Sequence, residues 1–135
     1  GLAAAIADGR LRRLAIANPE HAPYGRAARA ALEHAGLWSA LQGRLVLGDN
    51  VAQAAQFALS GSAEGGIVAW SLSRSPELAR RSSAVLIPAA WHPPIRQRMA
   101  LTRGADEAAA HFFDYLQQPA ARAVLARYGF LLPEN

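Results

Sequence analysis

Two four-residue apolar runs, LAIA at 14–17 and RLVL at 44–47 with its leading arginine, each give way within a few residues to an alanine-rich helical segment. Runs that short and mostly apolar, the first stopped by Asn18-Pro19 and the second leading into Gly48-Asp49-Asn50, read as strands. The segment after the first run sets Ala27, Ala30, Ala31, Leu32 and Ala35 on one side of a helix and Arg26, Arg29 and Glu33 on the other. The segment after the second run, 51–59, has a tight face of Ala54, Ala55 and Ala58. Strand and helix alternating through short loops predict an α/β fold: a mainly parallel sheet with right-handed crossovers, flanked by helices.

The rest of the chain fills in this frame. Residues 3–8 read as the end of a helix closed by Gly9. GGIVAW at 65–70 reads as a third strand and AVLIP at 84–88 as a fourth. Pro88, Pro93 and Pro94 then break regular structure around Trp91, and 95–102 reads as one more extended run. Gly104-Ala105-Asp106 opens a helix over 107–116, and Pro119 begins a last helix through Arg127, where proline is best tolerated. The aromatic and apolar tail 128–132 is expected to be docked.

At 135 residues the chain is long enough to bury a core of its own. It begins with Gly1, not Met, on a segment that is already amphipathic, so a portion of a longer protein is expected. The absence of cysteine excludes disulfides, thiolate metal sites and a cysteine nucleophile together. No apolar run approaches the roughly 20 residues of a membrane span. The net charge of +4 comes from 14 basic residues, all arginine. Such a balance steers anions toward the chain without choosing among a phosphate backbone, anionic lipid and a small oxyanion.

Two helix starts stand out. Each follows a strand directly, one at Pro23-Tyr24-Gly25 and one at Asp49-Asn50-Val51, so both fall at the carboxyl ends of strands, where open α/β sheets place ligands. A helix N-terminus there offers backbone N–H donors and about half a positive charge, enough to hold a small anion without a cationic side chain. The first start lacks the Ser, Thr, Asp or Asn that ordinarily caps a helix. Gly25 would allow close backbone approach and Tyr24 would add a hydroxyl. An equally weighted reading is that Asn50 simply caps its helix and Tyr24 packs.

Catalytic readings find little support. Neither a Gly-x-Ser-x-Gly elbow, nor a P-loop, nor Gly-x-Gly-x-x-Gly occurs, and Gly61-Ser62-Ala63-Glu64-Gly65 has its serine one place too early. His21, His34, His92 and His111 lack paired metal spacing. Asp49 and Glu64 alone sit near loop ends that face a cleft, with no evident basic partner, so no catalytic pair emerges and no enzyme is expected. For nucleic acid, Arg10-Leu11-Arg12-Arg13 supplies charge, yet the last helix carries Ala120, Ala121, Ala123, Val124, Leu125 and Ala126, a packing surface rather than a base-reading one.

Four blocks in order, LAIANPEHAPYGRAARAALEHAGLW, LVLGDNVAQAAQFALSGSAEGGIVAWS, PPIRQRMAL and FFDYLQQPAARAVLARYGF, resemble the periplasmic molybdate-binding proteins of ABC importers. The resemblance runs from about Leu11 to Phe130. It implies a type II periplasmic binding protein, in which two α/β lobes close on a dehydrated oxyanion held by neutral donors. Residues 1–94 would be the second lobe, and 95–135 a return strand and helices that normally pack on the first. By position, Tyr24 and Val51 would bind the oxyanion, Tyr24 through its N–H and hydroxyl and Val51 through its N–H. Pro23, Gly25, Asn50 and Ala69 would be pocket neighbours, and no side chain would coordinate the metal directly. Some members carry a tyrosine donor where this chain has Ala69, so Tyr24 would take that part.

The resemblance therefore implies a periplasmic receptor for molybdate, or tungstate, that needs no cofactor and delivers its ligand to an inner-membrane permease. An alternative is an oxyanion-sensing regulatory module built on the same lobe. With the first lobe outside the sequence, the helices from Glu107 to Arg127 need another cover, and a domain-swapped dimer is one arrangement that supplies it.

Overall fold

The computed structural model describes residues 1–133, so the last two residues of the 95–135 segment lie outside the described residues. The chain divides into two compact units, Gly1–Ile95 and a second from Arg96 onward. In the first unit the order is α1 (Leu2–Ala7), β1 (Leu14–Ala17), α2 (Pro23–His34), α3 (Trp38–Leu41), β2 (Leu45–Gly48), α4 (Val51–Leu59), β3 (Gly65–Gly66), α5 (Trp70–Ser73) and α6 (Pro76–Arg81). The second unit contains α7 (Glu107–Tyr115) and α8 (Pro119–Arg127).

The three strands form one sheet in the order β2-β1-β3, parallel throughout. Leu14 pairs with Leu45 on one side and Gly65 on the other, and Ala17 with Gly48. All four residues of β1 are buried, as a central parallel strand must be. Successive side chains leave a strand on opposite faces, and here the two faces receive different helices. Leu14 and Ile16 meet Ala28 and Leu32 of α2 together with Leu11 and Leu41. Ala15 turns the other way, to Ala54 and Ala63, with Val46, Phe57 and Val68 around them.

The α4 side is built from small residues, which brings that helix close to the sheet. A Cβ on Gly66 would lie 3.1 Å from the Ala15 carbonyl oxygen and 3.4 Å from the Ala58 Cβ. Within β1 the two faces thus differ in side-chain size, Leu14 and Ile16 toward α2 and Ala15 toward α4.

Three extended runs read from the sequence differ in the structure. The third strand stops at Gly66; Ile67 still donates to the Ala15 carbonyl at 2.9 Å, but Ala69 then becomes the N-cap of α5, so Trp70 is helical. Residues 84–88 form no strand, and Val85 is 92% exposed. Residues 95–102 form none either. An apolar run becomes a strand only where a neighbouring strand takes its N–H and C=O groups, and the described residues supply no such ladder for these two. The tail is held only in part: Phe130 N–H donates to the Leu125 carbonyl at 3.1 Å and the Arg122 guanidinium to the Pro133 carbonyl at 2.9 Å, while Leu131 is 99% exposed.

The helices follow their sequence signals. Asp106 accepts from the Ala109 N–H at 2.8 Å and so caps α7, while Pro119 occupies the first turn of α8. Ser75 and Pro76 begin α6 in the same manner, with the Ser75 hydroxyl accepting from Leu78 N–H at 3.4 Å. Among the described residues, no helix is long and apolar enough to cross a membrane.

Candidate functional site

The carboxyl ends of β1 and β2 are neighbours in the sheet, and each feeds a helix. Asn18, just past β1, organises the first loop. Its carbonyl accepts from Ala22 N–H at 2.9 Å, and its side chain accepts from Glu20 N–H at 3.0 Å. The turn delivers Ala22 as the N-cap of α2, with no side-chain cap, and Pro23 at the first helical position. Tyr24 follows, half-buried, and then Gly25, which is buried.

The glycine has a packing reason. A Cβ at Gly25 would run into the Ala17 carbonyl oxygen and lie 2.7 Å from both Asn18 C and Pro19 N, so the start of α2 rests on the end of β1. The Gly25 N–H makes no hydrogen bond among the described residues.

The second start is capped, as one of the two sequence readings has it. Asn50 Oδ1 accepts from Gln53 N–H at 2.9 Å, and Gln53 Oε1 reaches back to accept from Asp49 N–H at 2.6 Å. This is a variant of the reciprocal cap formed by a polar residue and a Glu or Gln three places on, with Gln53 taking the N–H one residue before the cap instead of that of Asn50 itself. The Asn50-x-x-Gln53 spacing is the sequence signal for it, one that the reading of Asn50 alone leaves out. With Gln53 N–H taken by Asn50 and Ala54 N–H by the Asn50 carbonyl at 3.2 Å, the Val51 and Ala52 N–H groups have no acceptor among the described residues.

The two loops are joined to each other. Asn18 N–H donates to the Gly48 carbonyl at 2.7 Å, and His21 Nε2 donates to the Asp49 carbonyl at 3.0 Å. Because a carbonyl only accepts, the His21 proton on this bond must sit on Nε2. The structure therefore brings together the two helix starts that carry Tyr24 and Val51, with Pro23, Gly25 and Asn50 beside them. Ala69, 4% exposed, lies past the end of β3 as the cap of α5.

Glu64 belongs to the other end of the sheet and does have a basic partner. Its carboxylate accepts from Arg13 N–H at 2.7 Å and Arg12 N–H at 3.0 Å, and pairs with the Arg12 guanidinium at 3.2 Å. The Arg13 N–H above all, with that of Arg12, holds its carboxyl below the usual glutamate range. The stabilisation is full above the ordinary value of 4.5 and fades as pH falls through the lowered one. Glu64→Gln is therefore expected to melt at lower temperature than the parent at pH 7, and thermal scans at decreasing pH should show that gap closing below pH about 4.5. A gap independent of pH would contradict this role.

Other charges and rings are engaged within the chain. Arg10 pairs with Asp8 at 2.8 Å, Arg29 lies 5.1 Å from the Trp38 ring centre, Arg74 lies 5.9 Å from that of Trp70, and His34 stacks on Trp91 at 5.1 Å. Among the described residues, no group of three or more His, Asp or Glu side chains is placed to share a metal ion. What the two helix starts share is the absence of a charged side chain among Pro23-Tyr24-Gly25 and Asn50-Val51, with backbone N–H groups at the first turn of each helix.

Residues 1–131 match the family of bacterial extracellular solute-binding proteins. The molybdate-binding protein ModA of Azotobacter vinelandii is 40% identical over 129 residues, which cover 94% of this chain and 51% of that protein. ModA of Rhodobacter capsulatus is 36% identical over 123 residues, covering 90% of this chain and 48% of that one. The solved periplasmic molybdate-binding protein of Azotobacter vinelandii superposes with a TM-score of 0.81 at 32% identity, covering 96% of this chain and 58% of the solved one. The chain thus spans about half the length of these relatives. The parallel sheet flanked by helices agrees with that superposition, and the chain belongs to the bacterial extracellular solute-binding protein family.

Proposed function

We propose that this chain forms the second lobe of a periplasmic receptor that binds molybdate, and tungstate with it, and passes the oxyanion to an ABC permease in the inner membrane. The observation that carries the reading is the pair of helix starts at adjacent parallel strand ends, tied by Asn18–Gly48 and His21–Asp49, in a chain 40% identical to a molybdate-binding protein. In this reading Val51 contributes its N–H, and Tyr24 contributes both N–H and hydroxyl, with Pro23, Gly25, Asn50 and Ala69 shaping the wall. The protein is a binder rather than an enzyme, and no bond is made or broken. Residues 1–94 act as one lobe, and 95–135 return toward the other.

Neutral donors suit this task. A dianion stripped of water needs several hydrogen bonds, each worth about 1.5 to 3 kcal/mol when the acceptor is charged. Sulfate has the same charge and shape with shorter bonds to oxygen, so pocket size discriminates. Calorimetric titration of the complete protein with molybdate, tungstate, sulfate and phosphate tests the proposal. Tight one-to-one binding of the first two alone is expected, and tight sulfate binding or no binding at all would overturn it.

A further inference from the structure

Asp49 is held from both sides. Its N–H donates to Gln53 Oε1 at 2.6 Å, and its carbonyl accepts from His21 Nε2 at 3.0 Å. The first bond is local to α4, whereas the second spans 28 residues and ties the loop before α2 to the loop before α4. A second tie, Asn18 N–H to the Gly48 carbonyl at 2.7 Å, runs beside it and continues the β1–β2 pairing one step past its last pair, Ala17 with Gly48. The histidine bond is different in kind, since a side chain makes it and the ladder does not require it. His21 is also exposed, so burial of its ring does not account for its place there.

The Asp49 carbonyl belongs to the peptide plane that leads into Asn50, and Val51 is the next residue. That plane carries the Asn50 N–H, and one residue's φ and ψ separate it from the plane of the Val51 N–H; Asn50, whose side chain caps α4 through the Gln53 N–H, holds those two angles, so the histidine bond and the cap together set where the Val51 N–H points. Oriented donors lose little freedom when an anion arrives. We propose that His21 is a positioning residue for anion capture: through Nε2–H to the Asp49 carbonyl, it holds the two helix starts at a set separation. This rests on the oxyanion reading above and adds to it a side chain that does not touch the ligand.

The test uses the complete protein with molybdate as the titrant. His21→Ala is expected to weaken binding about tenfold, the scale of one lost hydrogen bond, and His21→Gln, whose amide N–H can reach the same carbonyl, to recover most of that loss. Amide hydrogen exchange supplies a readout that needs no ligand: in His21→Ala, exchange at Asp49 and Asn18 should speed up, with Glu64→Gln as the control that destabilises the sheet from its other end. Binding by His21→Ala within twofold of the parent would overturn the proposal, and so would equal losses in the Ala and Gln variants. Should the parent bind no oxyanion, the functional reading falls by itself, and unchanged exchange at Asp49 and Asn18 would separately refute the tie.

Discussion

Replacing Val51 by proline is expected to leave the fold intact while weakening molybdate binding by about 10- to 150-fold, the equivalent of one charge-assisted hydrogen bond of roughly 1.5 to 3 kcal/mol. The substitution removes one atom that matters, the amide hydrogen. Val51 is the first residue of α4, where proline's fixed φ matches the helix and its missing N–H breaks no intrahelical bond. The preceding residue, Asn50, already has the extended backbone that proline demands of its neighbour, φ −147° and ψ 174°. The same chain starts α2, α6 and α8 with proline. Because the Val51 N–H has no acceptor among the described residues, its removal costs the apo protein no hydrogen bond. Val51→Ala keeps the N–H and trims the side chain, so it should bind nearly as the parent does. Titration of the two variants side by side gives the answer, and equal affinities would remove Val51 from the binding shell.

Much of the architecture around this site was legible in local pattern, because local chemistry determines it. The central strand is uniformly apolar since both its faces are covered, and the alanine face of α4 follows from the small residues it meets on the sheet. The helix starts announced themselves through Pro23, Asn50 and Pro119. What failed was decided at longer range. AVLIP has the composition of a strand, yet pairing is a property of a neighbour, and no amount of β-propensity in 84–88 supplies one. GGIVAW was too generous for a related reason: two ladder pairs suffice to seat Gly65 and Gly66 against Leu14 and Ala15, after which Ala69 turns into a helix. The partner of Glu64 was missed because Arg12 lies 52 residues away in sequence. His21 lacks metal-ligand spacing to another histidine, and its actual partner is a backbone carbonyl, which leaves no trace in side-chain spacing.

Gly25→Ala is expected to be the most destabilising single-methyl change at this end of the sheet. Overpacking against groups that cannot yield costs up to about 3 kcal/mol, while alanine's better helix propensity returns at most about 1, leaving a net loss of roughly 2 kcal/mol. The groups in the way are backbone: the Ala17 carbonyl oxygen, Asn18 C and Pro19 N. Ala17 is fixed by its pairing with Gly48, Asn18 by its bond to the Gly48 carbonyl, and Pro19 by its own ring. The strain must therefore be relieved by α2 lifting from β1, which loosens Ala28 and Leu32 from Leu14 and Ile16. A fall in melting temperature of about 10 °C is expected for a unit of this size. Gly43→Ala is the matched control, because a Cβ there meets nothing within 4 Å. If Gly25→Ala melted with the control yet lost molybdate binding, the glycine would be there for the ligand's approach. If it melts early, as the packing requires, the Pro-Tyr-Gly start is set first by the fit of helix to strand, and the direction of its first-turn N–H groups follows from that fit.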